Sequence, residues 1–336
     1  MILFDAIYIN SKGGINLLKY FLKESEKKSF DVLFAIDSRL ESIVFSSKID
    51  IIYIKPNIFS RHIFYLKNKN KFRSVFCFAN IPPTFSMKCS VYTYFQNVNL
   101  LNVKNEFNLN SFLKNFFYYL FSKNSDYWIV QTNTTAKLLS KRFESSKKIK
   151  IIPFFNPNPF LNYNNVSKNK NISMFRFFYP SSGEPHKNHL NLISAFKNFS
   201  FSNPNSTLVL TIGHKYKKLI YQIETLKKEG VKIINKGMLN NKNLLKEFQL
   251  SDFIIFPSLR ESFGLGLIEA ALIKKPIIAS DLDYVHEIVD PSMTFNPHSI
   301  KSIEEAMKKC SYTDLELPKL KVKNNIEQIF ELLNYE

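Results

Sequence analysis

Short apolar runs alternate with segments of helical periodicity along this chain of 336 residues. The runs are rich in Ile, Val, Phe and Tyr, as is typical of strands that are buried on both faces of a sheet. We predict strands at residues 2–9, 32–36, 49–54, 74–78, 91–95, 127–130, 148–152, 174–179, 207–212, 231–234, 253–256 and 276–279. Helical spacing between many of these runs predicts an α/β fold with mostly parallel, doubly wound sheets.

Helices are predicted where apolar side chains recur every three or four residues. The first begins after Gly13 and Gly14, which we place in the loop that follows the first strand. The others are predicted at residues 132–143, 189–198, 217–228, 241–249, 264–272, 300–309 and 321–333. Paired glycines between a strand and a helix allow the backbone to approach a phosphate or a sugar closely.

The length of the chain suits two domains of ordinary size. Residues 151–171 contain three prolines and seven asparagines without periodicity, which indicates a linker. The predicted divisions are a Rossmann-like domain at 1–155, a linker at 156–172, a second Rossmann-like domain at 173–320, and a C-terminal helix at 321–336 that packs back on the first domain. Two doubly wound domains of similar size would leave a cleft between their strand ends.

Charge and cysteine content limit the partners and the cellular compartment that we expect for the protein. Residues 1–165 hold 23 Lys and Arg against 10 Asp and Glu, whereas residues 166–336 hold 23 against 18. The basic first half fits nucleic acid, an anionic bilayer or an anionic substrate, and charge alone does not choose among them. Three scattered cysteines and the lack of a membrane-spanning apolar run predict a cytoplasmic protein, or one bound peripherally at the inner face of a membrane.

Two segments of the basic half have an unusual composition. Arg61–Arg73 interleaves cationic residues with apolar ones, and residues 110–123 form a very aromatic helical pattern. One interpretation is contact with an anionic membrane surface that carries a lipid-linked substrate. The alternative is a solvated charged loop for the first segment and a buried helix for the second.

The stretch Ser258–Ala270 places two carboxylates beside the start of a predicted helix. Glu261 lies in the loop after an apolar strand, and Glu269 lies in the second turn of the helix. We expect Ser262 to cap this helix. The cap would leave N–H groups unpaired on the next three residues, Phe263, Gly264 and Leu265. An anion site beside two hydrogen-bond acceptors suits a sugar that is joined to a diphosphate.

The same stretch resembles the nucleotide-sugar motif of retaining GT-B glycosyltransferases of family 4, because Phe-Gly follows the first glutamate and Ala follows the second. Other motifs resemble a branch of that family that builds bacterial surface polysaccharide, and they occur in the same order. They are Asn80–Pro83, Phe95–Asn97, Asp126–Thr132, Tyr179–His189 and Pro276–Glu287. The resemblance runs from about residue 10 to residue 300 and implies a GT-B architecture.

The resemblance also implies roles for individual residues. Glu261 would contact hydroxyls of the donor sugar, and Lys187 would neutralise the diphosphate as it leaves, so these are the expected catalytic residues. Glu269 would bind the ribose, and the nucleobase would lie near Asn235–Leu239. The remaining donor-binding candidates are Gly13, Gly14, Gly237, Met238, Arg260, Ser262, Phe263, Gly264 and Leu265, and the acceptor-side candidates are Gln96, Asn97 and His186.

One position departs from the pattern of the family. Many members have an arginine shortly before the lysine, whereas this chain has Ser181 and Ser182 there, so we consider Arg260 as a second cation. No cofactor and no metal are expected. Asp281-Leu282-Asp283 matches a metal motif of another glycosyltransferase fold only superficially, since it follows a strand as an ordinary loop.

These observations predict a retaining, metal-independent glycosyltransferase that uses a UDP- or GDP-sugar. The expected acceptor is a glycan, a lipid-linked oligosaccharide, in the assembly of O-antigen, capsule or lipopolysaccharide. A sugar-nucleotide epimerase of the same architecture is the nearest alternative. A nucleic-acid-binding protein is suggested by charge alone, and we expect no nucleic acid partner, because the chain has no basic-aromatic platform or helix-turn-helix pattern.

Overall fold

A computed structural model describes residues 1–28, 31–43, 45, 48–101, 120–143, 148–161 and 174–334. The chain divides into two compact units: unit 1 is Met1–Asn156 with Lys323–Glu336, and unit 2 is Pro157–Val322. The predicted aromatic segment 110–123, apart from its last four residues, and the predicted linker beyond residue 161 lie outside the described residues.

Parallel sheets form the centre of each unit, as the apolar runs predict. The strands are β1 (Ile2–Ala6), β2 (Val32–Asp37), β3 (Asp50–Ile54), β4 (Ser74–Cys77), β5 (Ser90–Tyr94), β6 (Tyr127–Val130), β7 (Lys148–Ile151), β8 (Arg176–Tyr179), β9 (Thr207–Leu210), β10 (Ile233–Asn235), β11 (Phe253–Phe256), β12 (Ile277–Ser280), β13 (Val289–Asp290), β14 (Met293–Phe295) and β15 (Lys319–Leu320). Within the described residues, the order is β3-β2-β1-β4-β5-β6-β7 in unit 1 and β10-β9-β8-β11-β12-β14 in unit 2. All of these neighbouring pairs are parallel, and among the described strands only the small pair β13 and β15 is antiparallel.

Helices connect most consecutive strands and cover the sheets. They are α1 (Lys12–Ser25), α2 (Ile58–Asn68), α3 (Asn133–Phe143), α4 (Asn158–Leu161), α5 (His189–Ser202), α6 (Lys217–Lys228), α7 (Asn241–Leu250), α8 (Leu265–Leu272), α9 (Asp283–Ile288), α10 (Ile300–Tyr312) and α11 (Ile326–Asn334). The strand order reverses between β1 and β4 in unit 1, and between β8 and β11 in unit 2. Such a reversal is where ligands bind in open α/β sheets, beyond the carboxyl ends of the strands.

The core of unit 1 is built from aromatic rings on its central strands. The ring of Phe4 lies 4.5 Å from that of Phe34 and 4.4 Å from that of Phe21 on α1, measured between centroids. Helix α11 completes this core from the far end of the chain, since Phe330 lies 4.8 Å from Phe21. Fully buried Phe side chains contribute strongly to the stability of a core, because each removes a large apolar area from water.

Three element boundaries differ from the sequence prediction. The loop predicted at Gly13 and Gly14 is wrong, because α1 already begins at Lys12 and both glycines lie in its first turn. The predicted linker begins with the short helix α4. The last helix starts at Ile326 rather than at residue 321, since the chain first forms β15 against β13.

For Arg61–Arg73, the alternative of a solvated charged loop is wrong. Helix α2 spans most of this segment, and Arg61 is only 2% exposed. Its guanidinium pairs with buried Asp5 at 2.7 Å and donates to the carbonyls of Ile81 and Pro82, each at 2.8 Å. Burial works against the charged form, but Asp5 and smaller contributions from Tyr65, Cys77 and Tyr8 together outweigh it and raise the pKa of Arg61 above its ordinary value. The sequence pattern could not reveal this pair, because its partners lie 56 residues apart.

Candidate functional site

The carboxyl ends of β8 and β11 lie side by side in unit 2, where its strand order reverses. The loop after β8 carries Lys187, and the loop after β11 carries Glu261. Because the two strands are parallel neighbours, both loops leave the sheet at the same edge. The topology therefore brings together the two residues that the sequence predicts to be catalytic.

Lys187 and Glu261 form an ion pair at this edge. The Lys187 ammonium donates to both carboxylate oxygens of Glu261, at 2.7 and 2.8 Å. The two side chains are 17% and 11% exposed, so the pair is sheltered but remains open to water. A positive charge and a carboxylate that share one opening can bind a phosphate and a sugar hydroxyl, respectively.

Asn188 fixes the backbone immediately after Lys187. It has a left-handed conformation with φ 60°, which asparagine tolerates better than most residues. Its buried amide donates to the carbonyl of Pro257 at 3.1 Å and to that of Pro297 at 2.7 Å. Asn188 therefore joins the lysine loop to the loops that follow β11 and β14.

A buried polar cluster anchors the loop that carries Glu261. The hydroxyls of Tyr179 and Ser258 lie 2.7 Å apart, and Tyr179 also donates to the Lys187 carbonyl at 3.0 Å. Tyr284 donates to the Ser258 carbonyl at 2.7 Å. Burial, with a further contribution from the nearby charge of Glu261, raises the pKa of the Tyr179 hydroxyl, so it stays protonated and able to donate.

The start of α8 differs from the prediction. Gly264 is the N-cap, with φ 70°, and no side chain caps the helix, so the prediction that Ser262 caps it is wrong. The helix begins at Leu265, and the N–H of Leu267 is already bonded to the Gly264 carbonyl at 2.9 Å. The first-turn N–H groups that point out of the helix end are therefore those of Leu265 and Gly266. Glycine is favoured at the cap because most other residues are strained at this φ.

The second cation considered from sequence, Arg260, lies beside the pair in the chain and is half-buried. Its Nε is buried and has no hydrogen-bond partner among the described residues. His186 is also half-buried at this edge. Its burial and the positive charge of Lys187 lower the pKa of its imidazole.

Two further groups brace the first part of the lysine loop. His189 is 3% exposed, and its Nε2 lies 2.7 Å from the Ser182 carbonyl. Burial lowers the pKa of His189 to about 4, so the ring is neutral at pH 7. Tyr216 donates to the Glu184 carboxylate, and a side chain at Gly183 would lie only 2.6 Å from the Tyr216 ring. The loop is therefore packed closely against Tyr216.

The other donor-side candidates of unit 2 lie in elements that follow strands of this sheet. Glu269 is half-buried within α8. Gly237 has φ 63° and its N–H donates to the Asn235 side chain at 3.3 Å, which shapes the turn after β10. Met238 is 66% exposed and lies beside Gly213, in the connection that follows β9.

The candidates of unit 1 lie at the carboxyl edge of its own sheet. The Gly14 N–H is bonded to the Ser11 hydroxyl at 3.3 Å, so this N–H is engaged in capping α1. Gln96 and Asn97 follow β5, and the Gln96 side chain donates to the Phe78 carbonyl at 2.9 Å. The N–H of Gln96 donates to the Asn80 side chain at 2.7 Å, which fixes this turn.

No group of three or more His, Cys, Asp and Glu side chains that could hold a metal occurs among the residues that the structure describes. Asp281 is 62% exposed and lies 2.7 Å from the His286 Nε2. Asp283 is the first residue of α9. This acidic motif is thus part of the turn before a short helix.

Sequence reasoning missed the residues that hold the site in place: Tyr179, Asn188, Ser258 and Tyr284. Tyr179 offered a weak signal, since a hydroxyl at the end of an apolar strand needs a partner when it is buried. Asn188 offered another, because asparagine often takes a left-handed conformation between a loop and a helix. The contacts of Ser258 and Tyr284 depend on how the strands are paired and left no local signal.

Comparison with known proteins finds similarity to glycosyltransferases. The family model described as glycosyl transferases group 1 matches residues 163–325, just under half of the chain. The O-antigen chain mannosyltransferase RfbU of Salmonella typhimurium is 26% identical over 156 residues, which cover 44% of this chain and 42% of that protein. The chain thus matches less than half the length of this curated relative.

Solved structures of similar fold cover nearly the whole chain. HepE of Anabaena, in complex with UDP and glucose, has a TM-score of 0.67 at 14% identity and covers 93% of this chain and 89% of its own. WaaG, a glycosyltransferase involved in lipopolysaccharide biosynthesis, has a TM-score of 0.68 at 12% identity, with 93% and 91% covered. Residues 163–325 thus belong to the glycosyl transferases group 1 family, and the chain as a whole has the GT-B fold of these enzymes.

Proposed function

We propose that this protein is a retaining, metal-independent glycosyltransferase that moves a sugar from a UDP- or GDP-sugar to a glycan acceptor. The observation that carries the proposal is the ion pair of Lys187 with Glu261, which lies in the loop that leads to the uncapped start of α8, at the strand-order reversal of unit 2. These groups match the two parts of the donor: a diphosphate, and a sugar with several hydroxyls.

Glycosyl transfer develops negative charge on the leaving diphosphate and positive charge on the sugar ring. A diphosphate bound at this edge would share the Lys187 ammonium with Glu261 and would meet the N–H groups of Leu265 and Gly266. Fixed donors of this kind stabilise the charge as it forms, because they are already oriented. The Arg260 guanidinium is the additional cation that we assign to this step.

The carboxylate of Glu261 has the complementary task. Carboxylates accept hydrogen bonds from sugar hydroxyls, and Lys187 keeps this one in place. We assign Glu269 to the ribose and the turn at Gly237 and Met238 to the nucleobase. Binding of UDP is reported for HepE, so uridine is the first base to test.

For the acceptor we propose a lipid-linked oligosaccharide in the assembly of O-antigen, capsule or lipopolysaccharide. The support is the similarity to RfbU, named as an O-antigen chain mannosyltransferase, and to WaaG, named for lipopolysaccharide biosynthesis. Gln96, Asn97 and His186 are the side chains that we assign to the acceptor. The described residues include no helix that is long and apolar enough to cross a membrane.

The experiment begins with a thermal-shift screen of UDP- and GDP-sugars, because a ligand that binds the folded protein raises its midpoint. The selected donor is then assayed for hydrolysis and for transfer to lipid-linked acceptors. We expect Lys187→Ala and Glu261→Ala each to lower the rate on the order of a hundredfold, as loss of a fixed transition-state contact does.

Matched controls are available in the same unit. Lys227 and Glu224 form a surface pair with 2.9 Å between Lys227 Nζ and Glu224 Oε1, so Lys227→Ala and Glu224→Ala change the same residue types away from the site. These two variants are expected to keep full activity. Full activity in the Lys187 and Glu261 variants would refute the site assignment. Release of a converted sugar without any acceptor would instead identify an epimerase.

A further inference from the structure

An ion pair is buried inside unit 1, between β1 and α2. The side chains of Arg61 and Asp5 are 2% and 1% exposed, and 2.7 Å separates Arg61 Nη2 from Asp5 Oδ2. Asp5 Oδ1 also accepts from the Ile7 N–H at 3.1 Å, and the Tyr65 hydroxyl donates to Asp5 Oδ2 at 2.6 Å. Removing two charges from water costs so much free energy that apolar side chains of similar size often stabilise a core equally well. Stability of the core therefore does not explain why this position holds an ion pair.

The other donors of Arg61 bind the connection between β4 and β5. Its Nη1 donates to the Pro82 carbonyl and its Nη2 to the Ile81 carbonyl, each at 2.8 Å. This connection, residues 78–89, is described throughout by the structure and contains no helix, although parallel strands are usually joined by one. Pro82 and Pro83 have no N–H, so this backbone has fewer donors of its own. The conformation of the connection therefore depends on side chains that reach it from other elements.

We call Asn80–Thr84 the proline loop, and Arg61 is its central support. Asn124 donates to the Pro83 carbonyl at 2.8 Å, so three consecutive carbonyls of the loop accept from side chains, two of them from Arg61. A guanidinium suits this task, because its planar fork can bind a carboxylate and two carbonyls at the same time. The buried carboxylate thus fixes the guanidinium, and the guanidinium fixes the proline loop.

The proline loop is bonded to the turn after β5, which carries the acceptor-side candidates Gln96 and Asn97. Asn80 has a left-handed φ of 67°, and its side chain accepts from the Gln96 N–H at 2.7 Å. The Asn80 N–H donates to the Tyr94 carbonyl at 3.2 Å, and the Gln96 side chain donates to the Phe78 carbonyl at 2.9 Å. A continuous series of bonds thus leads from the buried ion pair through the proline loop to Gln96.

We propose that Arg61 is a positioning residue for the acceptor: it holds the proline loop in the conformation that keeps Gln96 and Asn97 in place before the acceptor binds. A site that is ordered in advance loses less conformational entropy on binding. Because Arg61 is 2% exposed, it acts through the loop rather than by contact with the acceptor. The role of Gln96 and Asn97 towards the acceptor rests on the proposed function, whereas the control of their turn by Arg61 does not.

The test replaces the whole ion pair, because removal of Arg61 alone would leave the Asp5 carboxylate buried without its counter-ion. In the variant Asp5→Asn with Arg61→Met, the asparagine oxygen can still accept from the Ile7 N–H, and the methionine fills the space without donating. We expect this variant to remain folded, with a Trp128 fluorescence transition in urea close to that of the wild type. The second variant, Arg61→Lys, keeps the charge beside Asp5 but lacks the guanidinium fork, and it serves if the first does not fold.

Two measurements are made on each variant. Hydrogen exchange followed by mass spectrometry should be faster in peptides from residues 78–97 than in the wild type, because this segment opens more easily. With the donor and acceptor found above, the acceptor KM should rise on the order of tenfold. Donor hydrolysis should be unchanged, because the donor groups assigned above lie in unit 2. If the wild type uses no acceptor, the proposed function fails, and hydrogen exchange still decides the role of Arg61.

The ion pair of Arg39 and Asp37 provides the matched control. Asp37 is also fully buried and ends β2 of the same unit, and Arg39 Nε donates to its Oδ1 at 2.9 Å. Asp37→Asn with Arg39→Met should change neither the exchange of residues 78–97 nor the acceptor KM. The proposal is overturned if the exchange or the acceptor KM of the Arg61 variants equals that of the wild type, or if the control changes them as much. Donor hydrolysis that falls as far as transfer would also overturn it, since Arg61 would then support the fold as a whole.

Discussion

The residues around Lys187 hold its backbone in place. Asn188 fixes the backbone that follows Lys187, and the Tyr179 hydroxyl donates a hydrogen bond to the Lys187 carbonyl. His189 and Tyr216 brace the earlier part of the loop. At the scale of single residues, buried polar groups thus restrict the loops that carry Lys187 and Glu261. This restriction lowers the conformational entropy that the site loses when a ligand binds.

His189 predicts a pH dependence for the stability of unit 2. Its pKa is about 4 in the folded protein, below the ordinary value near 6.5. The unfolded chain therefore binds a proton more readily than the folded one, so stability is full above about pH 6.5 and falls as the pH drops towards 4. The expected loss is about 3 kcal/mol for a group as buried as this one.

The measurement is urea unfolding, followed by far-UV circular dichroism at several pH values, for the wild type and His189→Gln. The difference between the two proteins isolates His189 from the carboxylates, which titrate equally in both. We expect the free energy of unfolding of the wild type to fall more steeply between pH 6.5 and 4. Parallel pH curves would show that protonation of His189 does not cost folding energy.

At the scale of elements, the two helices at the site share an unusual start. Helix α5 begins after Asn188 with φ 60°, and α8 begins after Gly264 with φ 70°. Neither helix has a side-chain cap, so no side-chain oxygen of the N-cap residue accepts a hydrogen bond from the N–H groups of its first turn. This leaves the start of α8 available to an anion.

Gly264→Ala is predicted to weaken donor binding. The added methyl would lie 3.2 Å from Leu267 Cδ1, and alanine at φ 70° costs about 1–2 kcal/mol of strain. Gly230→Ala is the matched control, since Gly230 has φ 88° and nothing within 4 Å of the added methyl. Both variants should lose stability in urea, but only Gly264→Ala should raise the donor KM. Equal KM values in the two variants would contradict a donor-binding role for this turn.

Of the strands that the structure describes in the two parallel sheets, the sequence predicted all except β14, but it predicted the starts of some elements poorly. A run such as Phe253–Phe256 is apolar because both faces are buried, so its composition alone defines the strand. Ser262 failed as a cap because the backbone turns left-handed at Gly264, which composition does not reveal. Arg61 failed as a surface charge because its partner Asp5 is distant in the chain. Predictions that depended on buried strands therefore succeeded, whereas several that depended on loop conformation or on a distant ion pair did not.

At the scale of the whole molecule, the chain leaves unit 1 after Asn156 and returns to it at Lys323. The segment that returns to unit 1 is bonded to the segment that leaves it, since the Asn325 N–H donates to the Pro153 carbonyl at 2.8 Å. Helix α11 then packs four buried side chains into the core of unit 1, namely Ile326, Ile329, Phe330 and Leu333. The stability of unit 1 therefore depends on residues that follow unit 2 in sequence.

Ile329→Ala is predicted to destabilise unit 1 by about 2–5 kcal/mol, because it leaves a cavity at a fully buried position. Trp128 reports on this unit alone, as it is the single tryptophan of the chain and lies buried in β6. Its fluorescence in urea should show an earlier transition for Ile329→Ala. Exposed Glu331→Ala on the same helix should leave the transition unchanged, and an equal shift in both variants would contradict this role for α11.

The position of α11 after unit 2 in the sequence has a consequence for folding during synthesis. A ribosome makes residues 1–156 before unit 2, yet the helix that completes their core emerges only after unit 2. All of unit 2 is synthesised in the meantime and can fold as a unit of its own. Unit 1 is therefore made before unit 2, but its core is completed only after unit 2 has been made. Until α11 packs, Phe330 does not cover Phe21 and the neighbouring aromatic rings of this core.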